Sequence, residues 1–131
     1  MADRLSEARP DAPAGYGNDP DWAKLIVLAR SARARVGARE GAAVRDETGR
    51  THTAVCVELE SLVLSALQLA VANAIATGAR GIEAAVVVGQ AESDPTDEAV
   101  VREVATDAAE LLLCAPDGAP VKSLALTAGD S

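Results

Sequence analysis

The sequence predicts a three-layer α/β/α sandwich with one mixed sheet, and three observations carry that reading. About half of the 131 residues are apolar, which is enough for one continuous core. The strand and helix patterns alternate along the chain, which places crossover helices against a shared sheet. Two apolar runs, Ala-Ala-Val-Val-Val at 84–88 and Leu-Leu-Leu-Cys at 111–114, read as central strands covered on both faces.

In chain order, residues 1–19 are rich in Pro, Ala, Gly and charge and read as a disordered N-terminal tail. The folded domain is expected over 20–127, with a short C-terminal tail at 128–131. Asp19, Pro20 and Asp21 give a helix start, and Leu25, Ile26, Leu28, Ala29, Ala32 and Val36 recur at helical spacing up to Gly37. Residues 41–45 and 50–58 flank the turn Asp46-Glu47-Thr48-Gly49 and predict a β-hairpin. A second helix is expected from Leu59 to Thr77, apolar around nearly its whole circumference, with Gly78 as its stop. One sheet cannot bury such a helix on all sides, so a partner subunit is expected to cover the rest, through residues 61–78. A strand at 82–88, a loop, a helix at 95–105, a strand at 111–115, a turn at Pro116-Asp117-Gly118 and a weak strand at 123–126 complete the order.

Composition excludes several functions. The net charge of −8 argues against nucleic acid, because phosphate neutralisation needs clustered Lys and Arg. The one basic group, Lys24, Arg30, Arg33, Arg35 and Arg39, has the spacing of a solvated helical face. The uncharged stretch 61–79 holds Ser61, Ser65, Gln68, Asn73 and Thr77, too polar for a membrane span. Residues 1–19 lack the apolar core of a signal peptide, and two cysteines make no secreted disulfide framework. A cytoplasmic protein is expected. With no Phe, one Tyr and one Trp, the chain offers few faces on which a base or sugar could stack.

The inventory for catalysis is short. A zinc site needs three or four converging Cys, His or carboxylate ligands. The chain has His52, Cys56 and Cys114, and on a strand the first two are about 13 Å apart. No metal and no cofactor is expected. Ser65 sits in apolar surroundings with no base spaced to activate it, and both cysteines read as buried thiols. Glu92, Asp94, Asp97 and Glu98 surround a helix start, where the dipole favours negative charge.

The segment Glu40-Gly41-Ala42-Ala43-Val44-Arg45-Asp46-Glu47-Thr48-Gly49-Arg50, then Cys56-Val57-Glu58 and an Ala-rich helix, resembles the cytidine deaminase family. The resemblance spans residues 21–115 and implies a five-stranded mixed sheet with helices on both faces, assembled as a tetramer with helices meeting at its centre. In that family a C-A-E or H-A-E tripeptide supplies one zinc ligand and the proton-shuttling Glu, and a P-C-x-x-C motif supplies two more ligands. The matching positions here are Ser65-Ala66-Leu67 and Pro95-Thr96-Asp97-Glu98-Ala99. Ser65, Thr96 and Ala99 stand where ligands are required and Leu67 where the acid is required. In the family's N-V-E segment Asn and Glu hold the nucleoside sugar; here Cys56 replaces the Asn and Glu58 remains. Without a metal, water keeps a pKa of about 15.7 and hydroxide attack is closed at neutral pH.

The resemblance therefore implies a catalytically silent deaminase-like domain, an oligomeric structural or protein-interaction module. Its remnant pocket would involve Cys56, Glu58, Ser65, Leu67, Pro95, Thr96 and Ala99. A nucleoside or small-molecule binding module using that pocket is the alternative. A zinc-dependent deaminase, or a hydrolase with a remodelled site recruiting Asp94, Asp97 and Glu98, is the third reading.

Overall fold

A buried aspartate organises the first hairpin. Asp46 ends strand β1 (Gly41–Asp46), and strand β2 (Thr51–Val55) returns antiparallel to it. One Asp46 carboxylate oxygen accepts from the Thr48 N–H at 2.9 Å, the Thr48 hydroxyl at 2.7 Å and the Arg50 N–H at 3.1 Å. Its other oxygen meets His52 Nε2 at 2.9 Å. Burial pushes the Asp46 pKa up, but the bonds from His52, Thr48 and Arg50 outweigh it and hold the carboxyl well below the usual range. Gly49 takes φ 89° in this turn, a conformation open to glycine at little cost. The single histidine is thereby used in a turn.

The computed structural model of the chain describes residues 15–90 and 92–126. Strand β5 (Ile82–Val88) lies at the centre of a five-stranded sheet of order β2-β1-β5-β6-β7. It runs antiparallel to β1 and parallel to β6 (Ala105–Cys114), and β7 (Pro120–Ala125) closes the far edge antiparallel to β6. Helix α1 (Pro20–Val36) covers one face of the sheet; α2 (Ala66–Ala76) and α3 (Pro95–Val104) cover the other.

The period of two along each strand divides the core between these layers. Ala43, Ala84, Val86, Val88, Leu112 and Cys114 pack under α1 with Leu25, Ile26 and Ala29. Ala42, Val44, Ala85, Val87, Leu111 and Leu113 pack under α2 and α3 with Leu67, Ala70, Val71, Ala74 and Val101. The alternation confirms the three-layer mixed sandwich read from the sequence, and both apolar runs are buried strands.

The boundaries differ in several places, the last strand among them, at Pro120–Ala125 and not 123–126. The helix expected over 59–77, and the interface expected through 61–78, begin later: α2 starts at Ala66. Residues Val57–Glu58 (β3) and Val63–Leu64 (β4) form a separate two-stranded ribbon, closed by the Leu59 N–H to Leu62 carbonyl bond at 2.9 Å. The helix start lies in its chemistry: Ser65 accepts from the Gln68 N–H at 3.0 Å, and the Gln68 side chain accepts from the Ser65 N–H at 2.9 Å. That reciprocal cap ends the extended segment. Second, the strand expected through Glu58 leaves the main sheet at Val55, and Glu58 belongs to the ribbon. Third, β6 begins at Ala105, directly after α3.

Of the expected N-terminal tail, residues 1–14 lie outside the described residues. Tyr16–Asn18 form a 3-10 turn leading into the Asp19 cap of α1, whose Oδ1 accepts from the Asp21 N–H at 2.9 Å. The C-terminal residues 127–131 also lie outside. Three of the arginines read as a solvated face are tied down, Arg30 and Arg39 exposed and Arg33 half-buried: Arg30 donates to the Asp117 carbonyl, Arg33 to the Arg39 carbonyl and Arg39 to Glu58. Among the described residues no helix is long and apolar enough to cross a membrane.

Candidate functional site

The N-termini of α2 and α3 meet beyond one end of the sheet. Each helix has a polar cap: Ser65 for α2, and Asp94 for α3, whose Oδ1 accepts from the Thr96 N–H at 2.8 Å. Pro95 occupies the first turn of α3, where its missing N–H costs nothing. The two caps are joined by one bond: the Ser65 hydroxyl donates to Asp97 Oδ1 at 2.6 Å. Beside it, Glu40 is buried just before β1 and accepts from the Ala66 N–H at 3.1 Å. The carboxylate of one loop thus satisfies an orphan N–H of α2.

These groups line a cavity of about 300 Å³ together with Arg39, Glu58, Val63, Leu64, Gln68, Gln90, Asp94 and Thr96. Its walls are acidic. Among the described residues Arg39 is the one cation on them, and its Nη2 is bound to Glu58 Oε2 at 2.6 Å. The bond from Arg39 lowers the Glu58 pKa, but both side chains are more than half exposed, so the pair adds little stability. Gln90 Oε1 is buried without a hydrogen-bond partner among the described residues.

Asp97 is only 2% exposed. Burial raises its pKa, the bond from Ser65 opposes that rise, and repulsion from Glu40, Asp94 and Glu98 adds to it. A carboxyl whose folded-state pKa is raised favours folding when protonated and loses that advantage as pH rises from its unfolded value of about 3.9. Asp97→Asn keeps the shape and removes the charge. The variant should be more stable than the parent at pH 7. The gain should shrink toward pH 4, as read from urea unfolding midpoints across that range.

The residues expected in the pocket divide in two. Glu58, Ser65 and Thr96 line the cavity. Cys56 is half-buried next to it, its N–H donating to the Glu40 carbonyl at 3.4 Å. Pro95 and Ala99 are exposed on α3, and Leu67 is fully buried in the core beneath α2. Asp94 and Asp97 of the remodelled-site reading do line the cavity. Arg39, Glu40, Gln68 and Gln90 were not foreseen there; only Gln68 had a local signal, as the last residue of the capping box that starts at Ser65.

Zinc, the metal that the resemblance implies, does not fit these residues. The helix ends present the hydroxyls of Ser65 and Thr96, and Ala99 offers no donor. The hydroxyls are already engaged, Ser65 with Asp97 and Thr96 with Asp94. Cys114 lies in the core under α1, and His52 is bound to Asp46. Among the described residues no group of three or more His, Cys, Asp or Glu could hold a metal ion.

The sequence profile of a family described as cytidine deaminase-like matches residues 18–118, most of the chain and all the elements that build the cavity. The chain belongs to the cytidine deaminase-like family. Solved structures agree on the fold. Cytidine deaminase from Burkholderia pseudomallei superposes with a TM-score of 0.69 at 23% identity, covering 79% of this chain and 91% of that one. Cytidine deaminase from Mycobacterium leprae gives 0.65 at 22% identity, covering 82% of this chain and 95% of that one. The Mycobacterium tuberculosis enzyme gives 0.61 at 28% identity, covering 79% and 91% respectively. None of the curated proteins matches the chain.

Proposed function

We propose that this cytidine deaminase-like domain does not carry out zinc-dependent deamination and acts as a self-associating interaction module. The observation that carries the reading is the Ser65 hydroxyl bonded to the Asp97 carboxyl at the joined helix caps. A part-buried O–H···O bond already engages the two groups with each other, and neither is a soft metal ligand.

Self-association is supported by exposed apolar side chains on the ribbon and on α2. The β3–β4 ribbon exposes Leu59, Leu62 and Val63, the last 70% exposed, and α2 exposes Ile75. Only one stripe of α2 is buried within the chain; Ala72, Ile75 and Ala76 face outward. Apolar side chains gathered on neighbouring elements mark association surfaces. Light scattering on the eluting protein should give a dimer or tetramer mass, and the paired change Val63→Lys with Ile75→Lys should reduce it to a monomer. A parent protein that runs as a monomer at tens of micromolar would contradict the module reading.

Small-molecule binding is the second reading, favoured by the unpartnered Gln90 Oε1 and the buried carboxyls on the cavity wall. A rise in melting temperature with added nucleoside, absent from the Ser65→Leu variant, would support it.

A further inference from the structure

On the opposite face of the sheet a second cavity, of about 340 Å³, is lined by Gly15, Tyr16, Asp19, Trp22 and Glu110. It shares no residue with the site at the helix caps. It gathers the only Tyr and the only Trp of the chain. Their ring centroids are 4.9 Å apart with planes at 75°, an edge-to-face contact that makes a corner in which one ring's edge covers part of the other's face. Neither ring is fully buried; both pack on the rim of the core under α1. Two carboxylates, Asp19 and Glu110, complete the walls, and among the described residues no basic side chain lines the cavity.

We propose that this corner binds an organic cation of the quaternary or methylated ammonium class. The negative π faces of the two rings attract a diffuse positive charge, and the carboxylates complement it without needing to strip a tight hydration shell. The Tyr16 hydroxyl donates to Glu110, which fixes the phenol ring against that carboxylate. Burial raises the phenol pKa, the bond to Glu110 raises it further, and Ser123 opposes the rise, so the ring stays neutral and the cavity keeps its net negative charge. Other ligand classes match the walls less well. Phosphates and carboxylic acids would meet Asp19 and Glu110. A hard metal ion needs more oxygen ligands than these, and no group of three His, Cys, Asp or Glu suited to a metal occurs among the described residues.

Trp22 is the only tryptophan, so its fluorescence reports on this corner in the full chain. Titration with tetramethylammonium and with choline, at ionic strength held constant with sodium chloride, should give a saturable change with a Kd on the order of millimolar. The neutral isostere of choline, 3,3-dimethylbutan-1-ol, should give none. Glu110→Gln keeps an acceptor for the Tyr16 hydroxyl and removes the charge; it should weaken tetramethylammonium binding about fivefold. Saturation-transfer NMR on the choline N-methyl protons checks the same contact without relying on fluorescence. Equal responses to choline and to its neutral isostere, no saturation by either method, or unchanged binding by the Glu110→Gln variant would overturn the proposal.

Discussion

Leu67→Glu, which restores at that position the acid that the family motif carries, should unfold the protein and yield no deaminase. Leu67 is fully buried among Ala42, Val44, Ala70, Val71 and Val101 under α2. Removing a buried leucine costs about 2–5 kcal/mol in lost packing. The replacement carboxyl meets no donor in that apolar cluster and adds a desolvation penalty of at least about 1–3 kcal/mol. A protein of this size has about 5–15 kcal/mol to lose. The melting temperature should fall by more than roughly 10 °C, or the variant should fail to fold. Leu67→Met, which conserves volume, should cost less than about 1.5 kcal/mol. Thermal denaturation followed by circular dichroism distinguishes them. A Leu67→Glu protein melting with the parent would mean that residue 67 faces the cavity, and with it an acid within reach of a ligand.

Gly41→Ala should be the next most damaging change, for a steric reason. A β-carbon at Gly41 would stand 2.3 Å from the Ala29 carbonyl oxygen and 3.0 Å from the Arg33 β-carbon. The nearest atom belongs to the α1 backbone and cannot turn aside, so the helix would have to lift from β1. That movement would open the layer holding Leu25, Ile26 and Ala43. A loss of about 2–4 kcal/mol is expected in urea unfolding. Gly49→Ala, at a turn with open space around its β-carbon, should cost only the strain of its positive φ, about 1 kcal/mol. If the two variants were equally stable, the close packing of α1 on β1 would be wrong.

What could be read from the sequence was what repeats with a local period. The continuous apolar runs at 84–88 and 111–114, the Gly37 stop and the Asp46–Gly49 turn all correspond to elements in the fold. The family was legible through the order of short motifs at 40–50 and 56–58. The start of α2 was not read correctly, because a stretch without charges has no polar face to interrupt a helical pattern. Only the reciprocal Ser65 and Gln68 cap marks the boundary. The cavity was half legible. Glu58, Ser65 and Thr96 came from motif positions and Asp94 and Asp97 from the acidic group at a helix start, whereas Glu40, just before β1, comes to the same cavity only through the fold. Leu67 illustrates the same limit from the other side: its motif position suggested the pocket, and its apolar side chain packs into the core.

The resemblance matches Ser65, here bonded to Asp97, to a metal-ligand position, which makes zinc content the most direct measurement. Untagged protein purified without chelator should be dialysed and its zinc measured by elemental mass spectrometry against subunit concentration. Well below one zinc per subunit is expected, with no cytidine turnover when zinc is supplied. About one zinc per subunit surviving dialysis, together with conversion of cytidine to uridine, would contradict the reading and make the chain a working deaminase.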